Sequence, residues 1–418
     1  MLHLIVDFVL ISHMKILHTA DWHLGKRLDN ISRLPEQKEV LNEICDIAES
    51  EAVDAVLIAG DLFDTFNPPA EAQELLYKTL RRLGNNGRRA VMAIAGNHDQ
   101  PDRIEAPDHL ARECGIIFIG YPNSKVSACD NEGGLCITQS EEGFIELKLQ
   151  QCTVPLRIIA TPYANEFRLK TYFGSDDPEE ELRTVLQKNW QALADKYCDE
   201  QGVNILCTHL FFQRKGEPPA EEPEDEKPIL HVGGAQPIYS SNIPRQIQYV
   251  ALGHLHKFQV IDVKPCPIVY SSSPLPYSFA EADQEKYVVI IDADVNNKLS
   301  FNKYPLTKGK RLLRERFESV DDGLLWLHNN QDALVEITMV TDDYLSIADR
   351  KALQDAHPGI VNIIPEVKNK AFVLSQQGTI DLNKTIEQLF IDYFHHNKGQ
   401  QPDAATMELF KEVLGTDE

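Results

Sequence analysis

The chain has no closely paired cysteines, no apolar run long enough to cross a membrane, and little positive charge. Its eight cysteines are scattered through 418 residues without a C-x-x-C pair. That pattern favours free thiols in a reducing compartment over a disulfide framework. The apolar run at residues 2–11 is too short to span a bilayer, and no Lys or Arg precedes it. We therefore expect a cytoplasmic protein that does not enter a membrane.

Acidic residues outnumber basic ones, with 64 Asp and Glu against 41 Lys and Arg, for a net charge of −23. This balance excludes a protein that coats nucleic acid or anionic membrane with a basic surface. It does not exclude an enzyme with a small cationic or metal-filled cleft, because a net sum hides local sign. The apolar share of 43% and charged share of 25% are those of an ordinary globular protein, which excludes disordered and collagen-like classes.

Strand-like apolar runs alternate with amphipathic helical stretches through the first half, a pattern typical of α/β proteins. A strong strand pattern begins at Met14, so we expect residues 1–13 to be an N-terminal extension or a misassigned start. The length fits two or three domains. We expect a large α/β domain at 14–285, a small α+β domain at 286–372 and a helical tail at 376–418.

Five short polar motifs each follow a predicted strand. They are Asp21-Trp22-His23, Gly60-Asp61-Leu62-Phe63-Asp64, Gly96-Asn97-His98-Asp99, Thr208-His209 and Gly253-His254-Leu255-His256. All offer oxygen or imidazole ligands and none offers a thiolate, which suits Mn²⁺, Fe²⁺ or Zn²⁺ better than a sulfur-rich structural zinc site. Loops at the strand ends of one sheet converge in space, so we expect one shared site.

Two metal ions about 3.5–4 Å apart need a bridging carboxylate, and we assign that role to Asp61. The expected ligands of the first ion are Asp21, His23, Asp61 and His256, and those of the second are Asp61, Asn97, His209 and His254. His98 is expected to protonate or stabilise the leaving oxygen of a phosphodiester. We expect Asp99 to hydrogen-bond the other ring nitrogen of His98 and so to fix its tautomer.

The sequence around these residues resembles the calcineurin-like metallophosphoesterases, and more closely their SbcD-type DNA-repair nuclease branch. The segments that carry the resemblance are HTADWHLG at 18–25, IAGDLFD at 58–64, IAGNHD at 94–99 and ALGHLHK at 251–257. The resemblance covers nearly the whole chain from Met14. It implies an α/β fold with a two-layered β-sandwich flanked by helices, a small α+β capping domain that orients DNA, and a C-terminal helical tail.

The same resemblance implies an activity and a cofactor. The expected activity is two-metal hydrolysis of DNA phosphodiester bonds, as a double-strand exonuclease and a single-strand or hairpin endonuclease. The expected processes are DNA repair, recombination and replication, and the expected cofactor is a pair of divalent ions, chiefly Mn²⁺. A rival interpretation is a stand-alone metallophosphoesterase acting on a small phosphodiester or phosphomonoester, which would leave the cap and tail without a task.

Partners are also implied by the resemblance. They are DNA and an SbcC-type ATPase, in a heterotetramer of two plus two. The helices near 71–83 and 104–113 either form a homodimer contact, as the resemblance implies, or belong to the ordinary core. The tail residues Ile386, Leu389, Phe390 and Phe394 share one helical face, which either docks on the ATPase or packs on its own domain. Lys26, Arg27 and Arg33 follow a ligand loop and either contact a DNA backbone or form a solvated charge cluster.

Two positions depart from the patterns of related families. Thr65 stands where the protein phosphatases of the superfamily carry Arg, which disfavours a phosphatase. Asp64 stands where archaeal and eukaryotic relatives of the nuclease tend to carry His. We therefore expect Asp64 to orient a neighbouring side chain or the substrate, and not to donate a proton.

Overall fold

The computed structural model describes residues 13–131, 134–171, 178–216, 237–294, 299–342, 345–368 and 385–398, together with residues 402, 406, 407 and 410. The expectation of an N-terminal extension at 1–13 lies outside the described residues except for His13. Much of the expected tail at 376–418 lies outside them as well. Among the described helices, none is both long enough and apolar enough to cross a membrane.

The described strands form two large sheets and three small ones. In chain order they are β1 (His13–Thr19), β2 (Arg27–Leu28), β3 (Ile31–Ser32), β4 (Ala55–Ala59), β5 (Ala90–Ile94), β6 (Ile116–Ile119), β7 (Cys129–Asp130), β8 (Cys136–Glu141), β9 (Phe144–Lys148), β10 (Leu156–Thr161), β11 (Val203–Thr208), β12 (Phe212–Gln213), β13 (Ile238–Tyr239), β14 (Tyr249–Leu252), β15 (Gln259–Asp262), β16 (Ile268–Tyr270), β17 (Tyr287–Asp294), β18 (Leu299–Pro305), β19 (Leu312–Phe317), β20 (Leu334–Thr341) and β21 (Ile360–Val367).

The described α-helices are long where they cover a sheet and short where they join loops. In chain order they are α1 (Leu34–Ser50), α2 (Ala70–Leu83), α3 (Pro101–Glu105), α4 (Asp108–Glu113), α5 (Glu166–Leu169), α6 (Pro178–Tyr197), α7 (Val320–Asn329), α8 (Ile347–Ala356) and α9 (Ile386–Lys398).

Each large sheet has a parallel centre. The six-stranded sheet runs in the order β18-β17-β1-β4-β5-β6, and its strands β1, β4, β5 and β6 are parallel. The eight-stranded sheet runs in the order β15-β16-β14-β11-β10-β9-β8-β7, and β10, β11, β14 and β16 are parallel. The polar motifs follow β1, β4, β5, β11 and β14, so every motif begins at the carboxyl end of a parallel strand.

Three apolar layers hold these sheets and helices together. The layer between the sheets contains Leu57 of β4 and Ile205 of β11. On the other face of β4, Val56 and Ile58 pack in a second layer with α1 and α2, because successive side chains of a strand point to opposite faces. Trp190 of α6 packs in a third layer against the eight-stranded sheet. The expected two-layered β-sandwich flanked by helices is therefore confirmed.

The chain divides into two compact units, and the second begins at Glu315. It contains most of a three-stranded sheet, ordered β19-β20-β21, with the helices α7 and α8. Leu327, Ile337, Met339 and Leu353 are buried in it.

The expected boundary at residue 286 is wrong. Strand β17 pairs antiparallel with β1, from Leu17 opposite Ile290 to His13 opposite Asp294, and β18 extends the same sheet. The strand pattern after residue 286 is real, but it completes the first sheet. A composition change at 286 could not show which sheet those strands join, because pairing between residues nearly 280 positions apart leaves no local trace.

Replacing Leu57 by Ala should lower the free energy of unfolding by about 2–5 kcal/mol, since the lost side chain leaves a cavity between the two sheets. Leu57 is 1% exposed. Urea unfolding followed by tryptophan fluorescence measures the change, because Trp22 and Trp190 are both buried in the first unit. Val263→Ala is the control in the same unit: Val263 is 62% exposed, and its change should stay within about 0.5 kcal/mol. Equal losses in the two variants would contradict the layered packing.

Candidate metal centre

The candidate ligands reach one place because five parallel strands end there. Asp21 and His23 follow β1, Asp61 follows β4, Asn97 follows β5, His209 follows β11, and His254 and His256 follow β14. Hydrogen bonds cross between the loops of the two sheets. The His209 Nδ1–H donates to the Ala59 carbonyl at 2.8 Å, and the main-chain N–H of His254 donates to Asp21 Oδ1 at 2.9 Å. Both bonds tie the end of one sheet to the end of the other.

The backbone at several of these ligands is in a conformation that side-chain-bearing residues rarely adopt. The φ angles are 56° at Asp21, 44° at His23, 49° at Asp61 and 108° at His254. Each such position costs about 1–3 kcal/mol and persists only where its surroundings impose it. The surroundings do so here: the N–H of Asp21 donates to the Gly60 carbonyl at 3.0 Å, and that of His23 to the Asp61 carbonyl at 2.9 Å.

One group of donors surrounds His23. Its Nε2 lies 3.0 Å from Nε2 of His256 and 3.5 Å from Oδ2 of Asp61. Asp21, His23 and His256 each present one donor atom, and these three atoms all lie within 4.8 Å of one another. The Nδ1–H of His256 donates to Glu281 Oε1 at 3.0 Å, which leaves its Nε2 lone pair facing His23.

A second group surrounds His209. Its Nε2 lies 3.3 Å from Asp61 Oδ2 and 3.0 Å from Asn97 Oδ1. The same amide oxygen lies 3.1 Å from Nδ1 of His254. Asp61 Oδ2 is therefore within 3.5 Å of a histidine nitrogen in each group. The structure brings together all seven side chains expected to bind metal, with Asp61 between the two groups.

These donors fit divalent cations. Donor atoms about 3.0 Å apart match two ligands at right angles around an ion with bonds of about 2.1 Å. Asp21 Oδ2 is buried and has no hydrogen-bond partner in the described part of the chain, a costly state for a carboxylate unless a cation binds it. Oxygen and neutral imidazole donors without thiolate suit borderline and hard divalent ions.

The charges at the centre favour the same interpretation. Burial lowers the pKa of His23 to about 4 and that of His254 to about 3, so both rings are neutral, as a metal ligand must be. Burial would also lower the pKa of His209, but Asp61 and Asp21 raise it to about 9. The carboxylates of Asp61 and Asp21 thus stabilise a positive charge beside them. A bound metal cation would be stabilised by the same two carboxylates.

His98 lies at the edge of the donor groups, but Asp99 does not contact its ring as expected. The His98 Nδ1–H donates to the Asp64 carbonyl at 2.9 Å. Asp99 is fully buried and accepts hydrogen bonds from the N–H groups of Leu62, Phe63 and Gly96 at 2.8–3.0 Å. The expected Asp99–His98 hydrogen bond is therefore wrong. Asp99 instead joins the loop after β4 to the loop after β5.

Asp64 and the basic residues expected to contact DNA, Lys26, Arg27 and Arg33, differ in their surroundings. Asp64 Oδ1 lies 3.6 Å from His23 Nδ1 and 3.0 Å from Lys26 Nζ, so this carboxylate faces a candidate ligand. Arg27 is exposed. Arg33 is fully buried, where its guanidinium donates to Glu36 and to the Pro276 carbonyl. Both expectations for Arg33, contact with a DNA backbone and membership of a solvated charge cluster, are therefore wrong.

Sequence reasoning missed two residues that support the ligands. Glu281 is 1% exposed; besides accepting from His256, it forms an ion pair with the buried Lys286. Arg168 is buried and donates to the carbonyls of Gly96 and Asp99 at 2.7 and 2.8 Å. No motif surrounds either residue, and the helical turns that carry them are too short to show a periodicity that could reveal a buried charge.

The surfaces expected to bind protein partners are partly described. The expected helix at 104–113 is wrong as a single element, since Pro107 separates α3 from α4. Tyr77 of α2 is 41% exposed and Leu110 of α4 is 76% exposed. In the tail, Ile386 is exposed, while Phe390 contacts Phe394 and stacks on Phe410, with 3.9 Å between the centroids of the stacked rings. Leu389 is half-buried.

Comparison with known proteins places this centre in a family. Residues 14–258 match the calcineurin-like phosphoesterases. The chain is 33% identical to the SbcD protein of the SbcCD nuclease from Bacillus subtilis (strain 168), over 96% of this chain and 97% of that one. It belongs to the SbcD branch of the calcineurin-like phosphoesterases. The SbcD proteins of Rhodobacter capsulatus and Staphylococcus epidermidis are 31% and 26% identical, and the alignments cover 67% and 93% of this chain and 66% and 94% of theirs. The expected family is thereby confirmed.

Glu281→Gln should weaken Mn²⁺ binding by about 10- to 100-fold, because the carboxylate orients His256 and strengthens its donor nitrogen. Isothermal titration of the purified chain with MnCl₂ measures the effect. Glu285→Gln removes the same charge from an exposed position four residues away and serves as the matched control. If both variants bound Mn²⁺ like the unaltered chain, Glu281 would have no role in positioning His256.

Proposed function

We propose that this chain is the nuclease component of an SbcCD-type complex and hydrolyses DNA phosphodiester bonds with two Mn²⁺ ions. The observation that carries the proposal is the alignment with a protein named as part of such a nuclease, which extends over 96% of this chain and 97% of the relative. A similarity confined to the phosphoesterase domain would support only hydrolysis of some phosphate ester. Here the second unit and the tail are included.

The residues of the site would have two roles, binding the metal ions and positioning the residues that bind them. Two divalent ions, when bound, neutralise charge on the phosphodiester and lower the pKa of a water molecule. Asp61 would hold both ions; Asp21, His23 and His256 would complete one site, and Asn97, His209 and His254 the other. Asp64 would orient His23, and Asp99 would hold the loops after β4 and β5 in register.

His98 is placed to act on the leaving oxygen. One of its ring nitrogens lies within 4.8 Å of donor atoms of both His23 and Asp61. Its Nδ1–H is engaged by the Asp64 carbonyl, so Nε2 is the nitrogen available to a substrate. When His98 is protonated, Nε2–H can donate to the sugar oxygen as the P–O bond breaks.

DNA ends, hairpins and single strands are the proposed substrates. The net charge of −23 gives the chain little capacity to hold duplex DNA by phosphate contacts alone. Lys26 and Arg27 would supply local contacts near the site, the second unit would orient the DNA, and an SbcC-type ATPase would supply most of the phosphate binding. We place this complex, two copies of each protein, in the cytoplasm.

The stand-alone enzyme acting on a small phosphodiester or phosphomonoester is the rival proposal. It requires the same metal centre, so the geometry of the centre does not favour either. Its weakness is that it gives no task to the part of the alignment that lies beyond the phosphoesterase domain. The two proposals differ in whether DNA is cleaved and in whether an ATPase partner stimulates cleavage.

The test is Mn²⁺-dependent cleavage of end-labelled duplex and hairpin DNA, with and without the SbcC-type ATPase and ATP. We expect cleavage that the partner stimulates and that His98→Ala reduces by about 10²- to 10⁴-fold, since a proton-transfer group is lost. His13→Ala is the control, because His13 is exposed at the opposite end of β1. Rapid turnover of bis-p-nitrophenyl phosphate with no cleavage of either DNA would support the stand-alone enzyme.

We also propose that α2 and α4 form the homodimer contact. Leu110 is the most exposed large apolar residue of this region, at 76%. Leu110→Glu should convert the dimer to a monomer, because burying two carboxylates at a two-fold contact is strongly unfavourable. Sedimentation velocity measures the mass, with Leu325→Glu as the control at an exposed leucine of α7. A variant that remained a dimer would exclude this surface.

A further inference from the structure

An open cleft of about 430 Å³ lies next to the metal centre, within the first unit. Asn97, a candidate ligand, forms part of its wall. The cleft has four aromatic side chains, Phe66, Tyr121, Tyr163 and Phe167, contributed by loops after β4, β6 and β10 and by helix α5. Its volume lies in the range of pockets that take small molecules.

Two of the aromatic rings are exposed to an unusual degree. Phe66 is 54% exposed and Phe167 is 81% exposed. A single exposed apolar residue needs no explanation, but two phenylalanines that line one concave surface beside a candidate metal ligand indicate a binding surface. Phe66 lies two residues after Asp64, so its position is tied to a loop of the centre.

The two charged side chains that line the cleft, Arg168 and Asp102, both have hydrogen-bond partners. The Arg168 guanidinium donates to main-chain carbonyls of the loop after β5 and lies 5.1 Å from the centre of the Tyr163 ring. The Tyr121 hydroxyl donates to Asp102 at 2.9 Å. Lys170 Nζ, which is not part of the lining, lies 5.0 Å from the centre of the Tyr121 ring. Both tyrosine rings therefore face cations, whereas Phe66 and Phe167 offer apolar faces that suit a neutral planar group better than a phosphate.

We propose that this aromatic cleft binds a nucleobase of an unstacked DNA strand, next to the nucleotide whose phosphate lies at the metal centre. The proposal rests on the function proposed above. A base that has left its duplex presents two flat faces, which stack on aromatic side chains regardless of sequence. Because Asn97 belongs to both the cleft and the second donor group, a base in the cleft lies close to the scissile phosphate.

This arrangement selects substrates by strand structure. A paired base inside a duplex cannot enter the cleft without unstacking, whereas a frayed end, a hairpin loop or a single strand presents bases that are already free. The cleft would thus favour the substrates proposed above and would add no preference for base sequence.

The test uses the full chain with His98→Ala as a common background, so that the DNA remains intact. The probe is a single-stranded oligonucleotide carrying 2-aminopurine, whose fluorescence is quenched by stacking. Phe66→Ala with Phe167→Ala should weaken binding by roughly 5- to 100-fold, the effect of losing base stacking, and should abolish the quenching. Val263→Ala is the control, at a residue 62% exposed and outside the cleft.

Two further arms separate a stacking role from a merely structural one. Compared with the chain that carries Ala at position 167, Phe167→Trp should restore oligonucleotide binding and quenching, because Trp also stacks on a base. Phe167→Leu keeps apolar bulk but has no aromatic ring, so it should not restore them. An oligonucleotide lacking a base at the position next to the cleavage site should bind the Phe66→Ala, Phe167→Ala chain and the background chain equally.

The outcomes distinguish this inference from the proposed function. Unchanged affinity and quenching in the double variant, while the unaltered chain cleaves DNA, would overturn the aromatic cleft alone. Failure of the unaltered chain to bind or cleave DNA, with retained turnover of bis-p-nitrophenyl phosphate, would overturn both. Weaker binding that persists with the abasic oligonucleotide would show that the phenylalanines act through the fold, and would also overturn the inference.

Discussion

The site depends on a buried carboxylate, Asp61, held where the strand ends of two sheets meet. Burial of an ionised carboxylate costs several kcal/mol unless hydrogen bonds and positive charge offset it. Asp61 is 2% exposed; its Oδ1 accepts from the His98 N–H at 2.9 Å, and its Oδ2 faces His23 and His209. Burial would raise its pKa, but the neighbouring histidines, His209 first, hold the pKa well below its usual range. The carboxylate therefore stays ionised and attracts cations.

Close approach of the two sheets follows from the glycines in the ligand loops. A Cβ on Gly253 would lie 1.8 Å from the Ala59 carbonyl oxygen, and one on Gly60 would lie 2.2 Å from His209 Nδ1. Both distances are far below any contact that real Cβ atoms make. The loops of the eight-stranded sheet can reach those of the six-stranded sheet only because these positions have no side chain. The glycines of the motifs thus set the distances between donors on different strands.

The five motifs were sufficient to predict the fold and the set of residues that converge, because each motif is local and its strand is strongly apolar. What they could not show depends on contacts between distant parts of the chain. Arg33 looked like an exposed cation because its neighbour Glu36 does not reveal burial, and the Pro276 carbonyl that also accepts from it lies 243 residues away in the sequence. Asp99 looked like a partner of its neighbour His98, yet it bonds the N–H groups of Leu62 and Phe63. The supporting Glu281 lies 25 residues after His256 and belongs to no motif.

An acidic nuclease must separate recognition of phosphate from recognition of the rest of the nucleotide. A basic surface would attract duplex DNA along its whole length and leave the strand ends with no advantage. In this chain, attraction for phosphate is concentrated where cations would bind between Asp61 and its neighbouring ligands, whereas the adjoining cleft presents the apolar rings of Phe66 and Phe167. A strand would then be held at one phosphate by charge and at the next base by stacking. Such a division favours unpaired DNA through the cost of unstacking, which does not depend on salt in the way that phosphate contacts do.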